Sequence, residues 1–227
     1  MLELDKKTGL FYRPEYKELY VIREQSQYKT LDFKNKVVMD IGANIGAVSD
    51  LAIKSGAKKV YSYEPMPHTF EVLRKNLNGK CELYNRAITS TNVESVDFYI
   101  HKKYPSCNSI IEGKNKEKIK VLNIKLEDEI ERIKPEVLKI DIEGGEYDIL
   151  NNFNIPNYLE QIAVEFHHIS KKEYKDQALE IIKKFNHWHV HKKFRFNWYV
   201  TQMVLHRDKV GNIGSVKNYL ESGIKGL

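Results

Sequence analysis

With 227 residues, 41% of them hydrophobic, the chain has the size and apolar content of one α/β domain with short additions (1–227). The formal charge of +6 comes from lysines scattered between glutamates, a solvated basic surface that argues against a dedicated polyanion groove, and so against a nucleic-acid partner. Cys81 and Cys107 lack C-x-x-C spacing or neighbouring histidines, "MLELDKKTGL" has no apolar leader, and no run approaches the roughly 20 apolar residues of a span. Neither a zinc site nor a disulfide framework is indicated, no membrane span is expected, and a reducing, cytoplasmic location is expected.

In chain order, "PEYKELYVIREQSQYKTL" (14–31) predicts a helix opening at Pro14, part of a 1–35 extension laid over the ligand edge of a 36–227 core. "KVVMDI" (36–41) reads as a strand, 42–46 as a turn, 47–55 as a helix stopped by Gly56, and "KKVYSYE" (58–64) as a second strand: a βαβ unit. "PHTFEVLRKNLNG" (67–79) and "KEYKDQALEIIKKF" (172–185) have helical period, and "EVLKIDI" (136–142) and "EQIAVEF" (160–166) read as strands. This alternation implies a mainly parallel sheet covered on both faces. Residues 101–117 lack either period and read as a mobile loop on the acceptor side, where Asn108 and Ser109 can both donate and accept. Near the end, "HWHVHKKFRF" and "NWYVTQMVLHR" alternate about "RFN", predicting an antiparallel edge hairpin; its aromatics and cations fit one wet face better than a single-strand nucleic-acid platform.

In an open parallel sheet ligands bind beyond the carboxyl ends of the strands. Four such ends carry acids: Asp40, Glu64, Asp141 with Glu143, and Glu165. A carboxylate at Asp40 would repel a pyrophosphate, so the "DIGANIG" turn is not a dinucleotide turn; Gly42 and Gly46 allow close backbone approach and Asn44 tolerates a left-handed conformation. Glu64 stands at the spacing from Asp40 at which an acid accepts both ribose hydroxyls. A nucleoside without a pyrophosphate fits, and S-adenosylmethionine is one. Glu146 is expected to cap the helix that follows Gly144 and Gly145, and His168 to be an ordinary surface or core residue.

"VVMDIGANIG", "YSYEP", "LKIDIEGGEYDIL" and "VEFHH" resemble, in order and spacing, the FkbM-type S-adenosylmethionine-dependent methyltransferases over about residues 35–170. The resemblance implies a class I methyltransferase fold, Rossmann-like, with a mostly parallel seven-stranded sheet, helices on both faces and a C-terminal antiparallel hairpin. It also implies O-methylation of a sugar or glycan hydroxyl. Asp40, Gly42, Asn44, Gly46, Glu64, Pro65 and Ala87 would then be the cofactor side. A sugar hydroxyl is a poor nucleophile, so Glu143 is expected as base, and Asp141, Glu165 and His167 as ligands to Mg²⁺ or Mn²⁺. Sugar methyltransferases with this sheet usually carry adjacent acids after the later strand, where this chain has Phe166. An RNA methyltransferase or a nucleoside-binding module without chemistry are the rival readings; a homo-oligomer, or one part of a larger glycan-building enzyme, fits the first.

Overall fold

The computed structural model describes residues 1–101, 108–113, 116–168, 170–190, 200–208 and 214–221. A hairpin of β1 (Glu3–Asp5) and β2 (Leu10–Tyr12) opens the chain, which the sequence reading did not foresee. The helix predicted over 14–31 is broken: a 3-10 turn at Pro14–Tyr16 ends where Lys17 takes φ 57, then α1 (Leu19–Glu24) runs into a second 3-10 turn, Gln25–Thr30. Burying Tyr28 and Ile22 on two different surfaces sets that break.

The expected βαβ unit is present as β3 (Val37–Ile41), α2 (Ala47–Lys54) and β4 (Lys59–Tyr63). After α3 (Pro67–Leu77) and β5 (Glu82–Tyr84), the chain leaves the main sheet. It builds a separate three-stranded sheet from β6 (Ala87–Thr89), β7 (Ser95–His101) and β8 (Lys116–Lys125), ordered β6-β8-β7. It returns through α4 (Leu126–Ile133), β9 (Val137–Ile140), α5 (Glu146–Asn151), β10 (Gln161–His167) and α6 (Lys172–Lys183). Last come β11 (His189–Val190), β12 (Val200–His206), β13 (Gly214–Ser215) and α7 (Val216–Glu221).

The main sheet is ordered β13-β11-β12-β10-β9-β3-β4-β5. Strands β10, β9, β3, β4 and β5 are parallel, while β12 runs antiparallel to both β10 and β11. The expected seven strands are therefore eight, because the two-residue β13 adds an antiparallel edge to β11. The 191–199 turn of the predicted hairpin lies outside the described residues, as do 102–107 and 114–115 of the predicted loop. Along β10, Ile162, Val164 and Phe166 enter a core with residues of α4, α5 and α6, while Ala163 faces Tyr28, Val48 and Ala52 on the opposite side. Period-two burial on both faces is what a near-continuous apolar strand produces. From β3 the chain lays β4 and β5 to one side and β9 and β10 to the other, so the switch point lies beyond β3 and β9. Among the described residues no helix is long and apolar enough to cross a membrane.

Candidate active site

A cleft opens at that switch point, the place where open α/β sheets bind ligands. Gly42, Asn44, Glu64, Pro65, Met66, Thr69, Asn108, Asp141 and Glu143 are among the residues lining it. Gly42 has φ 75, and a Cβ there would stand 1.8 Å from the Asp141 carbonyl oxygen, so the chains leaving β3 and β9 can approach only through a glycine. Asn44 adopts the left-handed conformation its residue type allows, φ 51. The Gly42 and Ala43 N–H groups donate to the Tyr63 carbonyl, and the Asn44 N–H donates to Glu64 Oε2, so the turn's amides are engaged within the protein. What the turn offers a ligand is the bare Gly42 backbone and Asn44 Oδ1, a buried oxygen without a hydrogen-bond partner.

Glu64 lines the cleft at the end of β4. Its Oε1 accepts from the Met66 N–H at 2.9 Å and its Oε2 from Asn44 at 3.0 Å, leaving each oxygen a further lone pair at the cleft. Burial pushes this carboxyl up to about 7, against the downward pull of the two N–H bonds.

Three cofactor-side expectations change. Asp40 is fully buried, with Oδ2 accepting from Ser49 Oγ at 2.6 Å and Oδ1 3.1 Å from Lys139 Nζ, so its side chain faces into the sheet. Gly46 packs against α3: a Cβ there would lie 2.7 and 2.8 Å from methyls of Leu77 and Leu73. Ala87 is buried in a small cluster with Met66 and Phe98, one layer behind the lining. Lys139, which sequence reasoning missed, is 2% exposed, donates to the Gly42 carbonyl at 2.6 Å, and lies 3.7 Å from Asp141 Oδ2. Burial alone would lower its pKa, but Asp40 and Asp141 hold it above the ordinary range. The signal was a lysine inside the apolar run "VLKIDI", between strands ending in acids.

The acids of β9 and β10 converge as predicted. One ligating atom each from Asp141, Glu165 and His167 lie within 4.8 Å of one another. His167 Nε2 is 3.5 Å from Glu143 Oε2, 3.8 Å from Asp141 Oδ1 and 4.0 Å from Glu165 Oε2. Burial raises Glu143 to about 7, opposed by His167, and raises Glu165 to about 8 with help from Asp141. Burial would lower His167, but Glu143, Glu146 and Asp141 outweigh it and hold the imidazole well above its usual range. Two carboxylates and one imidazole, crowded by a third acid, are a donor set that suits a hard divalent cation. Glu143 adopts φ 56, an unfavoured conformation for its residue type and one met at functional turns. Tyr28, from the N-terminal segment, donates to Glu165 Oε1 at 3.3 Å, a contact the sequence did not reveal.

Glu146 does not cap α5 as expected: α5 has Gly145 as its N-cap and no side-chain cap bond, and Glu146 instead accepts the Gly144 N–H, ahead of the helix, at 2.8 Å and contacts His167. Asn108 lines the cleft, and its Oδ1 accepts the His101 N–H at 2.7 Å. Ser109 is 1% exposed, with Oγ accepting from the Ile111 N–H and from Lys116 Nζ, so it turns away from the cleft and does not serve as a direct acceptor contact. His168 takes φ 61, and burial lowers its pKa.

Sheet order, switch point and cleft define a Rossmann-like protein with its cleft beyond β3 and β9. Residues 40–196 match the methyltransferase FkbM domain, and the chain belongs to that family. It is accordingly an S-adenosylmethionine-dependent methyltransferase. No curated protein matches the chain by sequence. Among solved structures it is similar to magnesium protoporphyrin IX methyltransferase from Synechocystis with bound S-adenosylmethionine, at 10% identity over 85% of this chain and 83% of that one, TM-score 0.45. It is also similar to a precorrin-6y methyltransferase from Geobacter metallireducens, at 12% identity over 91% and 93%, TM-score 0.44. A protein of the NADB-Rossmann superfamily from Streptococcus agalactiae aligns at 12% identity over 90% and 76%, TM-score 0.47.

Proposed function

We propose that the protein transfers a methyl group from S-adenosylmethionine to a hydroxyl of a sugar or glycan, with a divalent cation held by Asp141, Glu165 and His167. The observation that carries this reading is the convergence of those three ligating groups beside the cleft that Glu64 and Glu143 line. S-adenosylmethionine supplies an electrophilic methyl, and a hard divalent ion supplies a Lewis acid that makes a hydroxyl more acidic. Glu64 accepts the ribose hydroxyls on the lone pairs its backbone bonds leave open. The bare Gly42 backbone and Asn44 Oδ1 face the same ligand. Glu143 Oε2 takes the acceptor's proton, and a carboxylate near 7 is matched to that task at neutral pH. Asn108 faces the acceptor. The reading treats residues 1–227 as one methyltransferase domain of a reducing, cytoplasmic compartment.

The test is incubation of the protein with a glycan panel and methyl-labelled S-adenosylmethionine, read by mass spectrometry, with and without chelator. Label on a sugar oxygen that disappears with chelation while cofactor binding persists is the expected result. In a parallel incubation with RNA, label there and none on the glycan panel overturns the acceptor class, and full turnover in excess chelator removes the cation.

A further inference from the structure

Glu146 is 0% exposed, and no carboxylate is buried so completely without strong compensation. A helix cap alone does not require it, since a cap works as well at the surface. Three nitrogens converge on it: the Gly144 N–H reaches Oε2 at 2.8 Å, the His167 N–H reaches Oε1 at 2.6 Å, and His167 Nδ1 lies 3.2 Å from the same Oε1. The first belongs to the turn that presents Glu143, the other two to the end of β10. One carboxylate therefore ties the two site elements together.

The histidine ring makes the tie directional. With Nδ1 on Glu146, Nε2 can only face the opposite way, and there it finds Glu143, Asp141 and Glu165 at 3.5–4.0 Å. Those distances exceed a good hydrogen bond and leave Nε2 facing oxygens it does not bond closely. A carboxylate on one ring nitrogen fixes which nitrogen is left to ligate. The turn is fixed by the same bond: Glu143 sits at φ 56 and Gly144 at φ 107, and the amide between Glu143 and Gly144 donates its N–H to Glu146. Strain of this kind persists only where surrounding contacts over-determine it.

We infer that Glu146 is a positioning residue, which fixes His167 with Nδ1–H on its carboxylate and Nε2 toward Asp141 and Glu165, and holds the turn that carries Glu143. The inference rests on reading Asp141, Glu165 and His167 as cation ligands. Its first measurement needs no metal: ¹⁵N–¹H correlation of histidine rings in the wild-type protein, with the His167 signals identified among eight histidines by their loss in His167→Asn. Read at a pH high enough for the ring to be neutral, a proton on Nδ1 supports the inference and a proton on Nε2 overturns it. The second is the Mn²⁺ affinity of Glu146→Gln, whose amide must set its own N–H₂ against one of the three N–H donors. Weakening of about 10- to 100-fold, with S-adenosylmethionine affinity held within about twofold, is expected of a carboxylate behind a ligating histidine. Equal loss of both affinities, or of neither, overturns it. If Glu146→Gln does not fold, Glu146→Asp keeps the charge but is too short to span the turn and β10 together, and the same two affinities are read. Wild-type protein that shows the Nδ1 proton yet binds no Mn²⁺ upholds the positioning role and rejects the cation reading instead.

Discussion

Glu64→Gln separates the cofactor role of Glu64 from its cost to the fold. The substitution keeps the shape of a side chain that is 8% exposed but removes the charge and one acceptor. Hydrogen bonds to a charged group contribute roughly 1.5–3 kcal/mol, so S-adenosylmethionine should bind about 10- to 150-fold more weakly by calorimetry. The pH dependence is the sharper test. Because burial raises the carboxyl from the usual 4.5 to about 7, wild-type affinity should climb about tenfold per pH unit below 7 and then level, as the anion that accepts the ribose hydroxyls becomes populated. The Gln variant should lack that step, so the ratio of the two curves isolates Glu64 from titration of the ligand. Stability runs the other way. Between 4.5 and about 7 the folded protein retains a proton that the unfolded chain has released, so the contribution of neutral Glu64 is full below 4.5 and is lost as pH rises through 7. The loss is on the order of 3 kcal/mol, and the melting temperature of the cofactor-free wild type should fall across this window relative to the variant. Identical pH profiles for the two proteins, or an unchanged Kd in the folded variant, would refute the reasoning.

Gly42→Ala should cost about 3 kcal/mol and abolish cofactor binding, since its Cβ would meet the Asp141 carbonyl at 1.8 Å; Gly46→Ala meets only leucine methyls and should lower the melting temperature while leaving the Kd nearly unchanged. Lys139→Met leaves Asp40 buried without its cation and should destabilise by about 3–5 kcal/mol in urea titrations, with much of the loss recovered in the double variant with Asp40→Asn. Glu143→Gln should retain cofactor affinity and lose about 10²- to 10⁴-fold in kcat; a loss confined to KM would move the base elsewhere.

The strands that carry the site were legible because β3, β4, β9 and β10 are short apolar runs ending in acids, and a parallel sheet places such ends together. The three-stranded sheet was harder to see. In β8 lysines occupy the wet face while Val121 is buried, and the charge hides the period-two pattern. For Ala87 and Ser109, position along the chain did not show that each side chain is buried away from the cleft. Lys139 and Tyr28 were missed for another reason: what makes them part of the site are partners far along the chain, Gly42 and Glu165, to which no local periodicity points.

The Tyr28–Glu165 hydrogen bond spans 137 residues, and that separation orders events during synthesis. A ribosome delivers the N-terminal segment, the glycine turn and Glu64 early, and these meet one another within the first βαβ unit. Tyr28 has no carboxylate to bond, and Asp141 and Glu143 no imidazole, until β10 emerges and pairs with β9. The glycine turn and Glu64 therefore leave the ribosome well ahead of Glu165 and His167, and the cleft has all of its acids and its imidazole in place only once β10 has joined the sheet.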